Sequence, residues 1–164
     1  MDNGLQETLK KLDIIKRHKA QVQNACELLG QRLIERGEVE FGIRLITLGY
    51  EHDLSKFDQF ERKYLIVDDK EEDNKTNLRL AIEKHQSCNR HHIEYWGDFS
   101  SMPRIFVAEL VCDLYSRSAE FGTNLRDYIK EKMLPRYDIS TNGKGYKTLK
   151  EFVDLLLDKP FSSV

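Results

Sequence analysis

The N-terminal part of the chain carries a stripe of apolar residues at helical spacing. Over residues 5–29 these positions recur at steps of three, four or seven, which is the pattern of an amphipathic α-helix rather than of a strand. The stripe consists of Leu12, Ile15, Val22, Ala25 and Leu29. Gly30 follows directly and is the expected end of this helix, because glycine readily adopts the left-handed conformation that closes helices.

Segments further along the chain repeat the helical pattern. The apolar positions of residues 39–50 are also compatible with a strand, but the length of the run and its helical surroundings favour a helix. No segment is a convincing strand, so the sequence predicts an all-α fold. Pro135 is the expected end of the helix before it. Helices are also expected over residues 76–85, 103–122, 124–133 and 146–157.

Length and composition narrow the class of protein. With 164 residues, residues 1–164 are expected to form a single domain. The formal net charge is -2, and basic residues are interspersed with acidic ones, so no surface for duplex nucleic acid is expected. No apolar run approaches the roughly 20 residues that cross a bilayer, and the chain does not begin like a signal peptide. Three dispersed cysteines are typical of reduced thiols, which favours a cytoplasmic location.

The histidines are the first indication of a functional site. His18 lies on the apolar stripe of the first helix, and His85 lies on the apolar side of its own helix. A lone histidine on such a face is usually a packed core residue. His52 and Asp53, however, stand side by side where an apolar run ends. Taken alone, this pair would indicate a polar helix end. Together with two inward-facing histidines, it indicates half of a metal site.

The chemistry of these side chains explains why they would gather. Imidazole nitrogens and carboxylate oxygens together suit first-row metals of intermediate softness. Buried polar groups cost free energy unless a partner such as a cation satisfies them. A later carboxylate is available in "VAELVCDLYSRSAEF", where Glu109 and Asp113 are four residues apart and therefore share a helix face. The helical period leaves open whether Asp113 points inward or to solvent.

The order of these residues resembles the HD-domain superfamily of all-helical, metal-dependent phosphohydrolases. The superfamily order H…HD…H…H…D is matched here by His18, His52–Asp53, His85, His91–His92 and Asp113. The stretches "HDLSKF", "EKHQSCNRHHIEYW" and "MPRIFVAELVCDLYSRS" are similar to an uncharacterised bacterial and phage family with an HD-like core. The resemblance covers about residues 14–122, the expected metal-site core of a helical bundle, and leaves residues 123–158 as C-terminal helices.

The resemblance implies one or two divalent metal ions (manganese, iron, cobalt or magnesium) and assigns their ligands. Asp53 would be shared between two metals. Either His91 or His92 would act as a ligand, and His92 is preferred because it lies seven residues after His85 and shares its face if the helix continues. His91 would share that face only if the helix breaks at residues 89–90. The implied ligands are His18, His52, Asp53, His85, His92 and Asp113.

The resemblance also implies a reaction and roles for other residues. The expected activity is hydrolysis of a small phosphate ester, such as a nucleotide, by a hydroxide that bridges two metals. Lys56, three residues after Asp53, is expected to contact the phosphate and, with Asp53, to be catalytic. Arg90 and Arg104 are weaker candidates for substrate contact, since a solvated surface position is the more common role of such arginines. Glu109 is expected to support a ligating histidine. The longer downstream motif of HD phosphodiesterases is missing, which argues against a cyclic-dinucleotide substrate.

Two other functions fit the same residues. A di-iron oxygenase would use the same ligands, so the sequence does not separate it from a hydrolase. A non-catalytic module that binds a nucleotide or a protein would keep the fold without turnover, but such a module has no need of every metal ligand. The sequence also leaves open the identity of the substrate and of the metal, and the oligomeric state.

Overall fold

Helices form nearly all of the regular structure in this protein. The computed structural model describes residues 3–67 and 74–158, and this part contains no strand. The prediction of an all-α fold is therefore confirmed, although the ends of the predicted 1–164 domain lie outside the described residues. The α-helices are α1 (Asn3–Glu35), α2 (Val39–Glu51), α3 (Gln59–Glu61), α4 (Asn74–Cys88), α5 (Ile93–Trp96), α6 (Arg104–Phe121), α7 (Leu125–Tyr128), α8 (Leu134–Arg136) and α9 (Lys144–Leu157).

Shorter helical segments join several of these helices. Turns of 3₁₀-helix lie at Leu54–Phe57 and Phe99–Ser101, and π-helical segments lie at Arg62–Ile66 and Ile129–Met133. The second π-helical segment runs directly into α8, so the helical path continues to Arg136. Pro135 therefore does not end the preceding helix as expected. It is the second residue of α8 and lies within this continuous helical path.

Helix α6 lies at the centre of the fold. Every residue from position 105 to position 112 is buried, including Glu109. A helix that is covered on all sides belongs to the interior of a domain. Helices α1, α2, α7 and α9 pack around α6. None of the described helices combines the length and apolar character that a bilayer crossing requires.

Glycines allow α1 and α2 to pack with their backbones in close approach. A β-carbon at Gly42 would lie 2.4 Å from the carbonyl oxygen of Gly30, and one at Gly49 would lie 2.7 Å from the Cβ of Cys26. Gly30 therefore does not end the first helix, as the sequence suggested. Helix α1 continues to Glu35, because the absent side chain at Gly30 serves helix packing and not helix termination.

The helix contact at Gly42 gives a testable prediction. Gly42→Ala is expected to lower the free energy of unfolding by about 1–3 kcal/mol, since the new methyl group must push two backbones apart. At a solvent-exposed helix position the same change would raise the free energy of unfolding by roughly 0.5–1 kcal/mol. The sign of the change therefore shows whether the two backbones are in close contact. Urea denaturation followed by circular dichroism measures it. Ile43→Ala, at a half-exposed position of the same helix, is the control and should change the stability little. A Gly42→Ala protein with an unchanged free energy of unfolding would contradict the close contact between Gly42 and Gly30.

Candidate metal centre

Five elements bring the predicted ligands to one place. His18 comes from the middle of α1, His52 and Asp53 follow α2, and His85 lies in the last turn of α4. His91 and His92 occupy the turn between α4 and α5, and Asp113 comes from α6. All of these side chains are buried or partly buried. The structure therefore brings together every predicted ligand and both alternatives at positions 91 and 92.

The end of α2 places His52 and Asp53. The Nζ of Lys19 on α1 donates to the carbonyl oxygens of Tyr50 (2.6 Å) and His52 (2.8 Å), which satisfies carbonyls at the helix end. His52 leaves the helical conformation (φ -51°, ψ 130°), and Asp53 takes the left-handed conformation (φ 57°, ψ 20°). Aspartate is one of the few residues that tolerates this region. The abrupt turn directs both side chains into the interior.

One group of ligand atoms surrounds Asp53. Its Oδ1 lies 3.0 Å from His85 Nε2 and 3.4 Å from His91 Nε2. His92 belongs to the same group, in which all ligand atoms lie within 4.8 Å of one another. The ring centroids of His85 and His92 are 5.0 Å apart. Because α4 ends at Cys88, the turn that follows allows both His91 and His92 to face His85.

A second group of ligand atoms lies next to the first. His18, His52 and Asp113 again offer atoms within 4.8 Å of one another, and His18 Nε2 is 2.9 Å from Asp113 Oδ1. Asp53 connects the two groups, because its other oxygen, Oδ2, lies 3.6 Å from His52 Nε2. One carboxylate thus presents one oxygen to each group, which is the arrangement of a ligand shared by two cations.

Several atoms of these groups are buried without a well-directed hydrogen bond. Polar atoms that lose water normally gain a protein partner, because an unpaired buried group costs about 1–3 kcal/mol. Five of the buried side-chain atoms that form no well-directed hydrogen bond within the described residues belong to this cluster, although the two carboxylate oxygens among them lie within 3.0 Å of histidine nitrogens. The five atoms are His52 Nε2, Asp53 Oδ1, His91 Nε2, His92 Nε2 and Asp113 Oδ1. Nitrogen and oxygen lone pairs gathered in this way fit a cation.

Glutamates hold the outer nitrogens of four histidines. The Nδ1 of His18 bonds to Glu120 (2.9 Å), and the Nδ1 of His85 bonds to Glu61 (2.8 Å). Glu109 Oε1 lies 3.0 Å from His52 Nδ1 and 3.3 Å from His91 Nδ1. With Nδ1–H donating to these carboxylates, the Nε2 of each ring would be left to face the centre. Burial acts to lower the pKa of His91, but hydrogen bonds to Asp53 and Glu109 outweigh it and raise this pKa to about 10, so a metal at His91 would displace a proton. This carboxylate–histidine pairing is typical of protein metal sites.

The sequence pointed to Glu109 but not to Glu61 or Glu120. Glu120 lies seven residues after Asp113, two turns along the same face of α6, so helical spacing could have found it. Glu61 gives no such signal, because it lies in a short helix far in sequence from His85. It is fully buried and also accepts a hydrogen bond from Ser55 (2.8 Å). The long-range contact alone identifies its role.

The protonation of the cluster follows from burial and neighbouring charges. Burial acts to raise the pKa of Asp53, but His52, His85, His91 and Lys56 outweigh it and hold this pKa well below the usual value. Burial, assisted by the charges of His91 and His85, lowers the pKa of His92 to about 3. Asp53 is thus an anion and His92 a neutral imidazole, which are the forms that bind metals.

The predicted cationic side chains lie in different surroundings. Lys56 donates to Asp53 Oδ2 and is largely buried. Arg90 lines a cleft of about 440 Å³ whose wall includes His52, Asp53 and His91. Arg104 has a structural role away from this cleft: it pairs with Glu38 and Glu151 and lies over the rings of Phe41 and Phe152. The suggestion that Arg104 contacts substrate therefore has no support.

Comparison with known families covers nearly the whole chain. Residues 7–155 match a family described as "Family of unknown function (DUF5662)". The chain belongs to this family. Searches of curated proteins and of solved structures gave no significant match. The matched region includes all of the histidines and carboxylates of the cluster, so the candidate centre lies within the family's shared domain.

The donor set of this DUF5662 member fits a divalent metal. The ligand atoms are imidazole nitrogens and carboxylate oxygens, and neither group of ligand atoms among the described residues includes a cysteine. Such donors suit manganese, iron, cobalt or zinc more than soft copper(I). His18, His52 and Asp113 would hold one ion, and His85, His91 and His92 a second. Asp53 lies between them.

Glu109 tests the importance of the outer carboxylates. Glu109→Gln is expected to weaken metal binding by about 10–100-fold, because it removes the charge that supports His52 and His91. Competition with a chromophoric chelator measures the affinity. Glu120→Gln is the matched control: Glu120 contacts only His18 among the ligands and also pairs with Arg117, so its effect should be smaller. Equal affinity of Glu109→Gln and wild type would contradict this role.

Proposed function

We propose that this protein is a metal-dependent phosphohydrolase of the HD type, acting on a nucleotide or another small phosphate ester. The observation that carries the proposal is the set of buried atoms around Asp53 that form no well-directed hydrogen bond, backed by glutamates on the far side of the histidines. The residue order H…HD…H…H…D supports the same reaction class. The shared position of Asp53 favours two metal ions over one.

The surroundings of the cluster support an anionic substrate. The adjoining cleft is accessible from solvent and carries Arg44 and Arg90. Guanidinium groups match the geometry of phosphate oxygens and can bind them through paired hydrogen bonds. A phosphate that entered the cleft would therefore meet positive charge from these arginines on its way to the metal ligands. An oxygenase acting on a neutral substrate has no evident use for this charge.

The residues of the chain have distinct tasks in this reaction. Bound divalent metals would activate water and offset the charge that develops on the phosphoryl oxygens. Asp53 would fix the relation of the two ions by offering one oxygen to each. Lys56 pairs with Asp53, and it would be free to contact a phosphate oxygen if cations neutralised that carboxylate. Glu109 and Glu61 would keep the histidines oriented.

The test is hydrolysis by the metal-loaded protein. Purified protein is loaded with manganese, iron, cobalt or magnesium and mixed with nucleoside monophosphates, cyclic nucleotides, short oligonucleotides and simple phosphate esters. We expect metal-dependent cleavage of at least one class, with loss of activity in Asp113→Asn. Asp13→Asn, at an exposed position of α1, is the matched control and should remain active.

The other outcomes separate the alternatives. A panel left intact by every metal-loaded form would overturn the phosphohydrolase proposal. Consumption of oxygen by the iron form without release of phosphate would identify an oxygenase that uses the same ligands. Tight binding of a nucleotide without cleavage would identify a binding module. Each outcome is read on the same preparations, so the comparison does not depend on differences in folding.

A further inference from the structure

Two arginines, in addition to metal ligands, line the cleft beside the candidate centre. Its wall on one side contains His52, Asp53 and His91, which belong to the candidate centre. Two arginines from separate helical regions also line it: Arg44 from α2 and Arg90 from the turn after α4. Its volume of about 440 Å³ falls within the range of small-molecule sites, roughly 300–1,000 Å³. The space therefore exceeds what a single phosphate at the metals would occupy.

Both arginines gather around one aromatic ring. The guanidinium carbon of Arg44 lies 6.0 Å from the ring centroid of Phe106, and that of Arg90 lies 5.7 Å from the same centroid. Phe106 is a buried residue of α6, so the ring is a fixed support. A guanidinium held over an aromatic face is attracted to it and keeps its N–H groups free at the edges.

Neither arginine is neutralised by a carboxylate. Within residues 3–67 and 74–158, no ion pair involves Arg44 or Arg90. By contrast, Arg104 and Arg117 are paired with glutamates. Glu51 lines the same cleft and Glu109 forms part of its wall, but Glu109 is engaged with His52 and His91. Two free guanidiniums thus face a cleft that leads to the metal ligands.

We infer that Arg44 and Arg90 bind a second phosphate group of the substrate, so that the substrate is a bisphosphorylated small molecule. The inference rests on the proposed function in placing the first phosphate at the metal ligands. The second phosphate would accept hydrogen bonds from the two guanidiniums, and the organic part of the molecule would span the cleft between them. The same chemistry fits a nucleotide with two phosphates and a sugar bisphosphate.

The test is a comparison of matched ligands by calorimetry on manganese-loaded protein. One pair is adenosine 5′-monophosphate and adenosine 3′,5′-bisphosphate, and the other is fructose 6-phosphate and fructose 1,6-bisphosphate. In at least one pair the bisphosphate is expected to bind about tenfold more tightly or better, as charge-assisted hydrogen bonds would provide. The pair that shows the preference identifies the source. Chromatography of the recovered ligand shows whether it was cleaved.

Variants separate recognition by the arginines from chelation by the metals. Arg44→Gln and Arg90→Gln should each remove most of the preference, whereas Arg79→Gln, at an exposed position of α4, should keep it. Equal affinities within both pairs, or a preference that survives both cleft variants, would overturn the inference. Cleavage of monophosphates without any preference would leave the phosphohydrolase proposal standing alone. A bisphosphate preference that depends on the arginines, without cleavage of any ligand, would support the second phosphate site and count against the phosphohydrolase proposal.

Discussion

Asp53→Asn is expected to lose most of its bound metal and to have more than about 100-fold lower activity, since even an outer partner of a ligand contributes 10–100-fold. The asparagine side chain has the same shape but no charge to share between two cations. Asparagine also tolerates the left-handed conformation that Asp53 adopts, so the fold should persist. Metal per chain, measured by mass spectrometry after gel filtration, and circular dichroism check both statements.

A matched control exists elsewhere in the chain. Asp138 also has a positive φ (47°) and is exposed, outside the cluster. Asp138→Asn makes the same chemical change in a similar backbone conformation, and it should keep the metal and the activity of wild type. If Asp53→Asn retained the full metal content, Asp53 would not be a shared ligand, and the pair His52–Asp53 would be a buried polar helix end.

The two adjacent histidines differ in how much they should contribute. His91→Asn is expected to weaken metal binding by more than about 100-fold and by more than His92→Asn. His91 is the more buried of the two, and its Nε2 faces Asp53 while its Nδ1 faces Glu109. Asparagine can retain the contact near Glu109 but cannot reach the centre. Chelator competition gives both affinities.

The exposed neighbour of the two histidines provides the reference for this comparison. Cys88→Ser changes a residue at the end of α4 without removing any proposed ligand, so it should bind metal as wild type does. The sequence favoured His92 over His91 because it assumed a continuous helix, whereas α4 ends at Cys88 and frees both side chains to turn inward. If His91→Asn bound metal with unchanged affinity, His92 and not His91 would be the metal ligand.

The helices and the inward histidines could be predicted because they depend on local spacing. The stripe that contains His18 has helical period, and the HD-like order of the ligands is a property of the chain itself. The prediction failed where a residue's role depends on a distant partner. Gly30 looked like a helix end because its contact with Gly42 is invisible in sequence. Pro135 was expected to end a helix because proline lacks an N–H group, but α8 continues the helical path through it.

The supporting residues of the site were equally hidden. Lys19 lies on α1 and holds carbonyls at the end of α2, a contact between positions more than thirty apart. Glu61 supports His85 from 24 positions away in the sequence. Arg44 reads as an ordinary charged residue within an apolar run, and only the fold places it beside Arg90. Pairing of this kind follows from helix packing, which one sequence does not specify.

Anomalous X-ray diffraction from manganese-soaked crystals tests the proposed two-metal centre most directly. We expect two anomalous peaks, one among His18, His52 and Asp113 and the other among His85, His91 and His92. A carboxylate oxygen of Asp53 should contact each of them. A single peak on the far side of the histidines, beside Glu109, would contradict this centre. So would the absence of any peak from crystals soaked at saturating manganese.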